Sequence, residues 1–452
     1  MTYFTTSRTR GQSQNQYNQN SHPIEGAWRG ALDGVWALDD DTGCSQRPTS
    51  LGTTYEITVH STENVAQTAK NRRYELLNEA RRLLPGERVA HCQRGMINVS
   101  QPVTVNYSVA RKRASFGNIL SCGSVWHCPV CAARISEVRR IELQTGVDNW
   151  TAQGGATAML SLTVQHEKHE PLSEVLADLT KAHGGLWSGR AGVALRAEFG
   201  IAGRVRAVEV THGGNGWHPH AHVLLFLTRP LSELALNSLE TAVSERWQKI
   251  VDRRYKRYAS IERGAKLTFA GNNASGYITK IGRDWTAAHE LAKAAVKVGR
   301  VDNRTPSKLL GDSLEGDTQA TALWLEYAQT IKGRRQLVWS NGLRDLLSLA
   351  EPETDESLVE QTDADAMPMV NIGRDGWRAV LGNDIRGELI AVAAKGNQAD
   401  VKQFLEQFNI TDVEYPPWFD VVLNLETGPT LAETAKLFDM TIITQDIMRL
   451  EQ

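Results

Sequence analysis

The amino-acid sequence predicts an α+β protein of several units, on three observations. The middle of the 452-residue chain alternates β-strand patterns with amphipathic helices. A cysteine-rich segment precedes it with the spacing of a metal-bound module, and the segment "RGELIAVAAKGNQADVKQFLEQF" after it has helical periodicity. The chain exceeds the length of one ordinary domain, so we expect a sheet-containing core preceded by a small zinc-binding module and followed by a helical C-terminal region.

Composition shifts divide the chain into five predicted segments. In chain order these are a disordered polar N-terminus (1–54), the zinc-binding module (55–150), the sheet core (151–350), an acidic linker (351–368) and a helical C-terminal domain (369–452). The linker is predicted from seven acids and no base between Glu351 and Asp365. No internal repeat is recognisable.

The overall composition indicates a protein of the cytoplasm with no place in a membrane. The first 24 residues contain neither an acid nor an apolar run, so no secretory signal is predicted, and the longest apolar stretches are too short to cross a bilayer. Five cysteines in a chain of this length suit a reducing compartment. The net charge of −2 does not by itself indicate a nucleic-acid partner, because it averages a strongly basic segment with the distant acidic one.

The cysteines of "SCGSVWHCPVCAARI" predict a structural zinc site. Cys128 and Cys131 form a knuckle whose turn directs two thiolates at one ion, and Cys122 adds a third ligand. Cys92 is the preferred fourth ligand, with the alternatives His91, His127 and Cys44 left open. A buried cluster of free thiols is the competing interpretation. In the helix predicted after the knuckle, Ile135, Val138 and Ile141 recur at near-helical spacing, and Arg134, Arg139 and Arg140 are expected to face DNA phosphate.

The stretch "RVRAVEVTHGGNGWHPHAHVLLFL" predicts a β-hairpin with a row of imidazoles on one face. Three histidines occupy alternate positions of the second strand (His218, His220 and His222), and an even-numbered loop would bring Glu209 to the same face. Three such positions span about 13 Å, too far for one ion. We therefore expect His220, His222 and Glu209 to bind a divalent metal, with His218 in reserve.

The residue types at this site do not select one metal. Imidazoles suit zinc, iron or nickel, whereas a carboxylate with open coordination positions also admits manganese or magnesium. The competing interpretation is a solvent-facing strand decorated with histidines. Three alternating histidines opposite a glutamate favour the metal site.

A basic segment with aromatic residues follows the hairpin. Eight Lys or Arg lie between Arg246 and Lys266, and Trp247, Tyr255 and Tyr258 are interleaved with them. Cations for the backbone and rings for stacking would suit single-stranded DNA, and the candidate DNA-binding residues are Arg253, Arg254, Lys256 and Arg257. An amphipathic helix with a solvated basic face explains the pattern equally well.

A helix is predicted in "AGNNASGYITKIGRDW", beginning at Asn273. Tyr277 and Lys280 are one turn apart and share a face. A phenol close to a metal-polarised phosphate can attack the phosphorus, and a lysine beside it can orient the phosphate or offset its charge. Tyr277 and Lys280 are therefore the candidate catalytic pair.

Taken together, these motifs resemble the plasmid rolling-circle replication initiators of the HUH-endonuclease superfamily. The resemblance rests on the order of "MLSLTV", "HPHAHVLL" and "YITK", followed by "KGRRQLVWSNGLRDLL", and it covers roughly residues 90 to 350. It implies that residues 151–350 form the HUH endonuclease domain, an antiparallel five-stranded sheet with helices on one face and the histidine face open.

The resemblance also implies a reaction. Tyr277 would nick one strand at a plasmid origin through a 5′-phosphotyrosine intermediate, with Mg²⁺ or Mn²⁺ at His220 and His222, and a host helicase and polymerase would extend the freed 3′ end. Some relatives place a glutamate just before the tyrosine, where this chain has Asn273 and Ala274. How a round of replication terminates is therefore left open.

Other functions compete with this interpretation. A conjugative relaxase or a single-strand transposase would use the same chemistry on another DNA. A non-catalytic zinc-binding DNA regulator would need the histidines only for structure, and a hydrolase or oxygenase would leave Tyr277 without a role.

Overall fold

The architecture consists of two antiparallel sheets with helices packed on them. The computed structural model describes residues 60–269, 303–361 and 365–419. Its strands are β1 (Val103–Ser108), β2 (Arg113–Gly117), β3 (Ala156–Leu162), β4 (Ile201–Gly213), β5 (Gly216–Leu227), β6 (Ala265–Phe269), β7 (Leu337–Trp339), β8 (Ala366–Ile372) and β9 (Val413–Glu414). The α+β class predicted from the sequence is confirmed. The predicted disorder of residues 1–54 lies outside the described residues.

Twelve α-helices and one short 3-10 helix (Arg88–His91) lie within the described residues. The α-helices are α1 (His60–Leu83), α2 (Pro129–Ala152), α3 (Leu172–Trp187), α4 (Gly189–Glu198), α5 (Glu233–Tyr255), α6 (Pro306–Leu314), α7 (Thr318–Ile331), α8 (Leu343–Leu346), α9 (Asp355–Glu360), α10 (Arg374–Gly382), α11 (Arg386–Ala393) and α12 (Gln398–Gln407). None of these described helices is long and apolar enough to cross a membrane.

The larger sheet has the strand order β6-β3-β5-β4-β7, and all its pairs are antiparallel. The predicted hairpin is confirmed as β4 and β5, joined by a two-residue loop after the last pair, Gly213 with Gly216. Gly216 has a φ of +85°, and a Cβ there would lie 2.4 Å from the carbonyl oxygen of Lys168. Only glycine therefore fits at this end of the hairpin.

Helices cover one face of this sheet fully and the other in part. The buried side chains Leu160, Val223 and Leu225 pack in one core with α3 and α5. On the opposite face, Leu224 and Phe226 pack against α2, with Trp150 donating a hydrogen bond to the carbonyl of Leu227. The expectation of helices on one face is thus corrected: the histidine face becomes apolar beyond His222, and that apolar end must be covered.

The smaller sheet has the order β2-β1-β8-β9 and joins distant parts of the chain. Strand β1 pairs with β2 on one side and with β8 on the other. Its apolar side chains form a separate core with α10, α11 and α12. The C-terminal region therefore contributes strands as well as helices, and it shares a sheet with the segment that carries the cysteines.

Candidate functional site

The hairpin places Glu209 and the histidines on one face of the larger sheet. In the strand register Glu209 lies opposite His220, while Ala207 lies opposite His222 and Thr211 opposite His218. The two-residue loop makes the separation even, so the glutamate and the imidazoles project in the same direction. Two side chains of the predicted ligand set are in contact: the carboxylate of Glu209 lies 2.8 Å from Nε2 of His222.

Ser161 is a site residue that the sequence interpretation missed. It lies on β3 opposite His222 in the register, and its hydroxyl lies 3.0 Å from Nδ1 of that histidine. The ring of His222 is thus held from both sides, by Ser161 at Nδ1 and by Glu209 at Nε2. The signal was present in the sequence, because Ser161 is the one polar side chain within "MLSL".

The row of imidazoles is longer by one than the sequence predicted. His166, in the loop after β3, places Nε2 2.8 Å from Nδ1 of His218. The ring centroids of His218 and His220 are 4.2 Å apart, and those of His220 and His222 are 6.0 Å apart with nearly parallel planes. Four rings therefore lie in sequence along the strand, with Glu209 beside the last.

Electrostatics keep the middle of this row uncharged. Burial, followed by the neighbouring imidazoles of His218 and His222, lowers the pKa of His220 to about 4, while Glu209 opposes the shift. Burial, followed by the proximity of His166, also lowers the pKa of His218. Both rings are neutral near pH 7, so each retains a nitrogen lone pair for a cation.

The chemistry of this donor set fits a divalent cation, although the donors have not converged. Two imidazoles and a carboxylate are ligands for Mn²⁺ and related ions, and Glu209 leaves the site open because its side chain is 30% exposed. Among the described residues, three or more potential ligand atoms lie within 4.8 Å of one another only in the cysteine cluster. Binding at His220, His222 and Glu209 therefore requires side-chain rotation.

Tyr277 and Lys280, the predicted catalytic pair, lie outside the described residues. The described chain stops at Phe269, the last residue of β6, and starts again at residue 303. Beyond that gap, Arg304 forms an antiparallel bridge with His212, near the end of the hairpin that carries the histidine row.

The cysteine cluster has the dimensions of a zinc site. Cys92, Cys122, Cys128 and Cys131 are all buried, and the sulfur of Cys92 lies 3.5 Å from the sulfurs of Cys128 and Cys131. The sulfurs of Cys122 and Cys131 are 3.8 Å apart. A tetrahedral zinc ion with bonds of about 2.3 Å requires sulfur–sulfur edges of about 3.8 Å. The four sulfurs are thus already spaced to hold a metal.

Backbone groups around the cluster favour thiolates. The sulfur of Cys128 accepts a hydrogen bond from the amide of Cys131 at the start of α2, and the sulfur of Cys92 accepts one from the amide of Cys122. The N-terminus of α2 adds its partial positive charge. Hydrogen bonding from Cys128 and the other cysteines lowers the pKa of Cys122, whereas burial raises the pKa of Cys128. His127, an alternative ligand, instead donates from Nε2 to the carbonyl of Ala328 at 2.9 Å.

Only part of the predicted basic patch is available to a ligand. Arg253 and Arg254 are exposed at the end of α5, Lys256 caps that helix with a φ of +53°, and the ring of Tyr258 is 57% exposed. Arg257, however, lies 2.8 Å from the carboxylates of both Glu170 and Asp178, so its charge is already compensated.

The stacking role expected for Trp247 is wrong. Its side chain is 0% exposed, and its indole donates to the carbonyl of Thr163. The sequence contained a pattern that indicates this burial, because Leu239, Val243 and Val251 recur with Trp247 at every fourth position, on the buried side of α5.

The arginines expected to face phosphate on α2 are largely engaged within the protein. Arg139 pairs with Glu142 on the same helix and with Asp355 at the start of α9, and Arg140 pairs with Glu137. Arg139 therefore connects α2 to the start of α9, whereas Arg140 is paired within its own helix.

Comparison with known proteins identifies a family. The family model described as Replication protein (Rep_1) matches residues 119–375. "Protein rep" of Streptomyces lividans is 27% identical over 350 aligned residues, covering 62% of this chain and 77% of that protein. The "Neomycin resistance protein" of Streptomyces cyanogenus is 30% identical over 136 aligned residues, covering 24% of this chain and 31% of that protein. No solved structure matches the chain.

Proposed function

The chain belongs to the replication protein family, and on that premise we propose that it nicks and rejoins one strand at a plasmid origin to initiate rolling-circle replication. Membership of the family confirms the resemblance to plasmid replication initiators. The observation that carries the proposed chemistry is the shared face of Glu209, His220 and His222, with Glu209 already contacting His222. In this proposal residues 151–350 are the HUH endonuclease domain, and the protein acts in the cytoplasm.

In this proposal, His220, His222 and Glu209 hold Mg²⁺ or Mn²⁺. Bound there, the cation would polarise the scissile phosphate and stabilise the charge that develops on it. Ser161 lies 3.0 Å from Nδ1 of His222; once the carboxylate rotates away and a cation takes Nε2, the Nδ1–H would donate to the Ser161 hydroxyl and hold the ring in place. His218, held by His166, borders the site and is the reserve ligand.

Tyr277 is the proposed nucleophile, and the chain can deliver it. Ala158 on β3 lies opposite Phe269 on one side and opposite Leu225 on the other, so Phe269 is level with Leu225. Leu225 is four residues along β5 from Ala221, which lies between His220 and His222, and this separation is about 13 Å at the usual rise. The eight residues from 269 to 277 can span about 26 Å when extended. The bridge of Arg304 to His212 then fixes the other end of the connection at the histidine end of the sheet.

The proposed reaction is a transesterification. The phenol oxygen of Tyr277 forms a bond to phosphorus as the bond between phosphorus and the 3′ oxygen breaks. The phenol proton is lost, and the leaving 3′ oxygen takes up a proton. Lys280, one helical turn from Tyr277 by sequence, offsets charge on the phosphate oxygens. The reverse reaction rejoins the strand, and the free 3′-hydroxyl primes synthesis by the host polymerase with a helicase ahead of it.

The remaining predicted sites would support this reaction without taking part in it. Zn²⁺ at Cys92, Cys122, Cys128 and Cys131 would be structural, because all four thiols are buried and no coordination position is left open. The exposed Arg253, Arg254 and Lys256, with the ring of Tyr258, would contact single-stranded DNA near the nick.

One experiment tests the nickase directly. The protein is incubated with labelled single-stranded DNA from its own plasmid origin and Mn²⁺, and a covalent protein–DNA adduct is sought on a denaturing gel. We expect an adduct with the wild type and with Tyr415→Phe, a matched control in the smaller-sheet region, and none with Tyr277→Phe. Adduct formation by Tyr277→Phe would refute the assigned nucleophile, and absence of any adduct would favour a non-catalytic regulator. An adduct on transfer-origin DNA in preference to the replication origin would favour a relaxase.

A further inference from the structure

A groove of about 720 Å³ runs between residues 122–127, which we call the cysteine loop, and the segment that leads into β7. Six cationic side chains line it: Arg88, Arg139, Lys332, Arg334, Arg335 and Arg344. Six carboxylates face them: Glu87, Asp345, Glu351, Glu353, Asp355 and Glu356. Four of these carboxylates come from one stretch, residues 351–356, which was predicted from the sequence to be an acidic linker. Without that stretch the groove would be lined by six cations and two acids, with Lys332 paired to Glu87, and Arg139 and Arg344 paired to Glu142.

The acidic stretch is docked on the groove by specific contacts. Arg88 lies 2.5 Å from the carboxylate of Glu356, and Arg139 lies 3.5 Å from that of Asp355 and also bonds the carbonyl of Glu353. Gly123, next to the zinc-ligand candidate Cys122, has a φ of +64°, and a Cβ there would lie 3.0 Å from the side chain of Glu356. Docking also partly buries Asp355, and this burial raises its pKa while Arg139 opposes the shift.

The groove begins beside the histidine face. Strand β7 pairs with β4 so that Leu337 lies opposite Ala207. If this antiparallel register is continued by two residues, to the segment just before β7, Arg335 lies level with Glu209. The cysteine loop supports this wall, since Trp126 donates from its indole to the carbonyl of Arg334 at 2.6 Å. Arg335 itself is exposed. A DNA backbone leaving the proposed nicking site on this side would therefore enter the groove.

The side chains of the groove suit a duplex better than a single strand. Its two tryptophans offer little ring surface, because Trp126 is buried and the guanidinium of Arg344 covers the ring of Trp339 at 5.1 Å. Single-strand sites combine cations with exposed rings for stacking, whereas duplex DNA is held mainly through its phosphates.

We propose that this groove binds the phosphate backbone of duplex DNA next to the nick site, and that the acidic stretch 351–356 occupies it as an intramolecular substitute for DNA. The proposal rests on the nickase function, because it places the duplex relative to the histidine site. Binding of duplex then requires displacement of the acidic stretch, and its carboxylates lower the affinity of the resting protein for DNA.

The test measures duplex binding without cleavage, in full-length Tyr277→Phe protein. Fluorescence anisotropy with a short labelled duplex of arbitrary sequence compares this parent with the triple variant Glu353→Gln, Asp355→Asn and Glu356→Gln. We expect the triple variant to bind at least about 10-fold more tightly at 50 mM salt, with a salt slope steeper by about 2, as for two or three additional phosphate contacts. A control with equal charge change, Asp375→Asn with Glu406→Gln and Glu414→Gln, neutralises exposed acids of the C-terminal region.

Each outcome of the binding experiment either supports or overturns the proposal. A gain no larger than that of the control would overturn the proposal, and so would a gain found with single-stranded DNA but not with duplex. Adding Lys332→Ala and Arg335→Ala to the triple variant should remove the gain, and persistence of the gain would show that the DNA lies elsewhere. Because no step requires cleavage, failure of the nicking assay would leave these results interpretable.

A second measurement avoids the risk that the triple variant misfolds. Hydrogen exchange of residues 351–361 is followed in the Tyr277→Phe protein with and without saturating duplex. We expect faster exchange at these amides when DNA is bound, because the stretch leaves the groove. Unchanged or slower exchange with DNA bound would overturn the proposed displacement.

Discussion

The cysteine cluster and the histidine row are both candidate metal sites, yet they differ in how complete they are. The four sulfurs of the cluster are buried and already lie at the edge lengths of a tetrahedral zinc ion. In the histidine row, Glu209 contacts His222 but the donors have not converged on one point, and the carboxylate side chain is partly exposed. A closed set of ligands suits a structural ion, whereas an open set leaves room for a substrate.

The difference follows from how each site is built. The cysteines come from a turn, a loop and a helix N-terminus, whose backbone amides point at the sulfurs. The histidines come from alternate positions of a straight strand, where neighbouring side chains cannot approach closely. A strand can therefore present ligands to a cation and a phosphate together without enclosing the cation.

The largest effect is expected from opening the cysteine cluster. Cys131→Ser should abolish bound zinc and markedly lower the free energy of unfolding, because zinc binding contributes about 10 kcal/mol or more in small zinc-dependent peptides. Zinc content by mass spectrometry and the midpoint of thermal unfolding measure this. Cys44→Ser, which changes a cysteine outside the described residues, should retain one zinc per chain. A stable Cys131→Ser protein with full activity would show that the cluster is not structural.

Loss of a histidine ligand should instead remove activity and leave the fold intact. His222→Ala is expected to lower the nicking rate by more than the roughly 10- to 100-fold typical of losing an outer-shell partner of a metal. Nicking of origin DNA is measured alongside zinc content and thermal unfolding, both of which should stay near wild type. The exposed His169 provides the control, since His169→Ala should nick normally.

Brief treatment of the wild-type protein with EDTA should likewise remove nicking activity without removing the zinc. The open site should lose its cation and its activity, and added Mn²⁺ should restore both, while the zinc remains bound in its buried cluster. Simultaneous loss of zinc and of activity would show that the cysteine cluster is no more closed to chelation than the histidine site.

Removing the support of His222 should have a smaller effect. Ser161→Ala deletes the hydroxyl that lies 3.0 Å from Nδ1 of His222, and we expect about a 10-fold lower apparent affinity for Mn²⁺, seen as a higher metal concentration for half-maximal nicking. Saturating Mn²⁺ should rescue most of the rate. Ser161→Thr keeps a hydroxyl and should behave as wild type; if it fails as Ser161→Ala does, packing rather than the hydrogen bond is responsible.

The smallest effect is expected at the basic end of α5, which belongs to neither metal site. Replacing Arg253 and Arg254 by alanine should reduce the slope of single-stranded DNA binding against salt by about 1, with both metals retained. Arg378→Ala with Lys402→Ala removes the same charge from the C-terminal region and serves as the control. An unchanged slope would assign Arg253 and Arg254 to a solvated face without contact to DNA.

Local patterns predicted the individual elements of these sites well. The alternation of His218, His220 and His222 predicted a strand face, and the Gly-Asn loop predicted the hairpin that aligns it with Glu209. The Cys-x-x-Cys turn predicted the knuckle, and the structure places Cys92 beside it as expected. These predictions are correct because the period of a strand and the geometry of a turn are set by residues close together in the chain.

Contacts between distant segments were not predictable in the same way. Nothing local in "EPETDE" shows that Glu356 will meet Arg88, 268 residues earlier. The hydrogen bond of buried Trp247 to Thr163, just after β3, and the pairing of β1 with β8 likewise depend on which elements become neighbours. His166 joins the histidine row because a loop returns to His218, and no spacing along the chain indicates that return.

The amino-acid order alone therefore sets the chemistry available to this protein: a strand of imidazoles, a thiol knuckle, a tyrosine and a lysine three residues apart, and runs of opposite charge. Tertiary structure decides which of these groups meet. It closes the four thiols around one point, leaves the imidazoles and Glu209 open, and seats the acidic stretch on a basic groove. The reason is physical: local backbone geometry is encoded within a few residues, whereas burial and charge pairing depend on the packing of the whole chain.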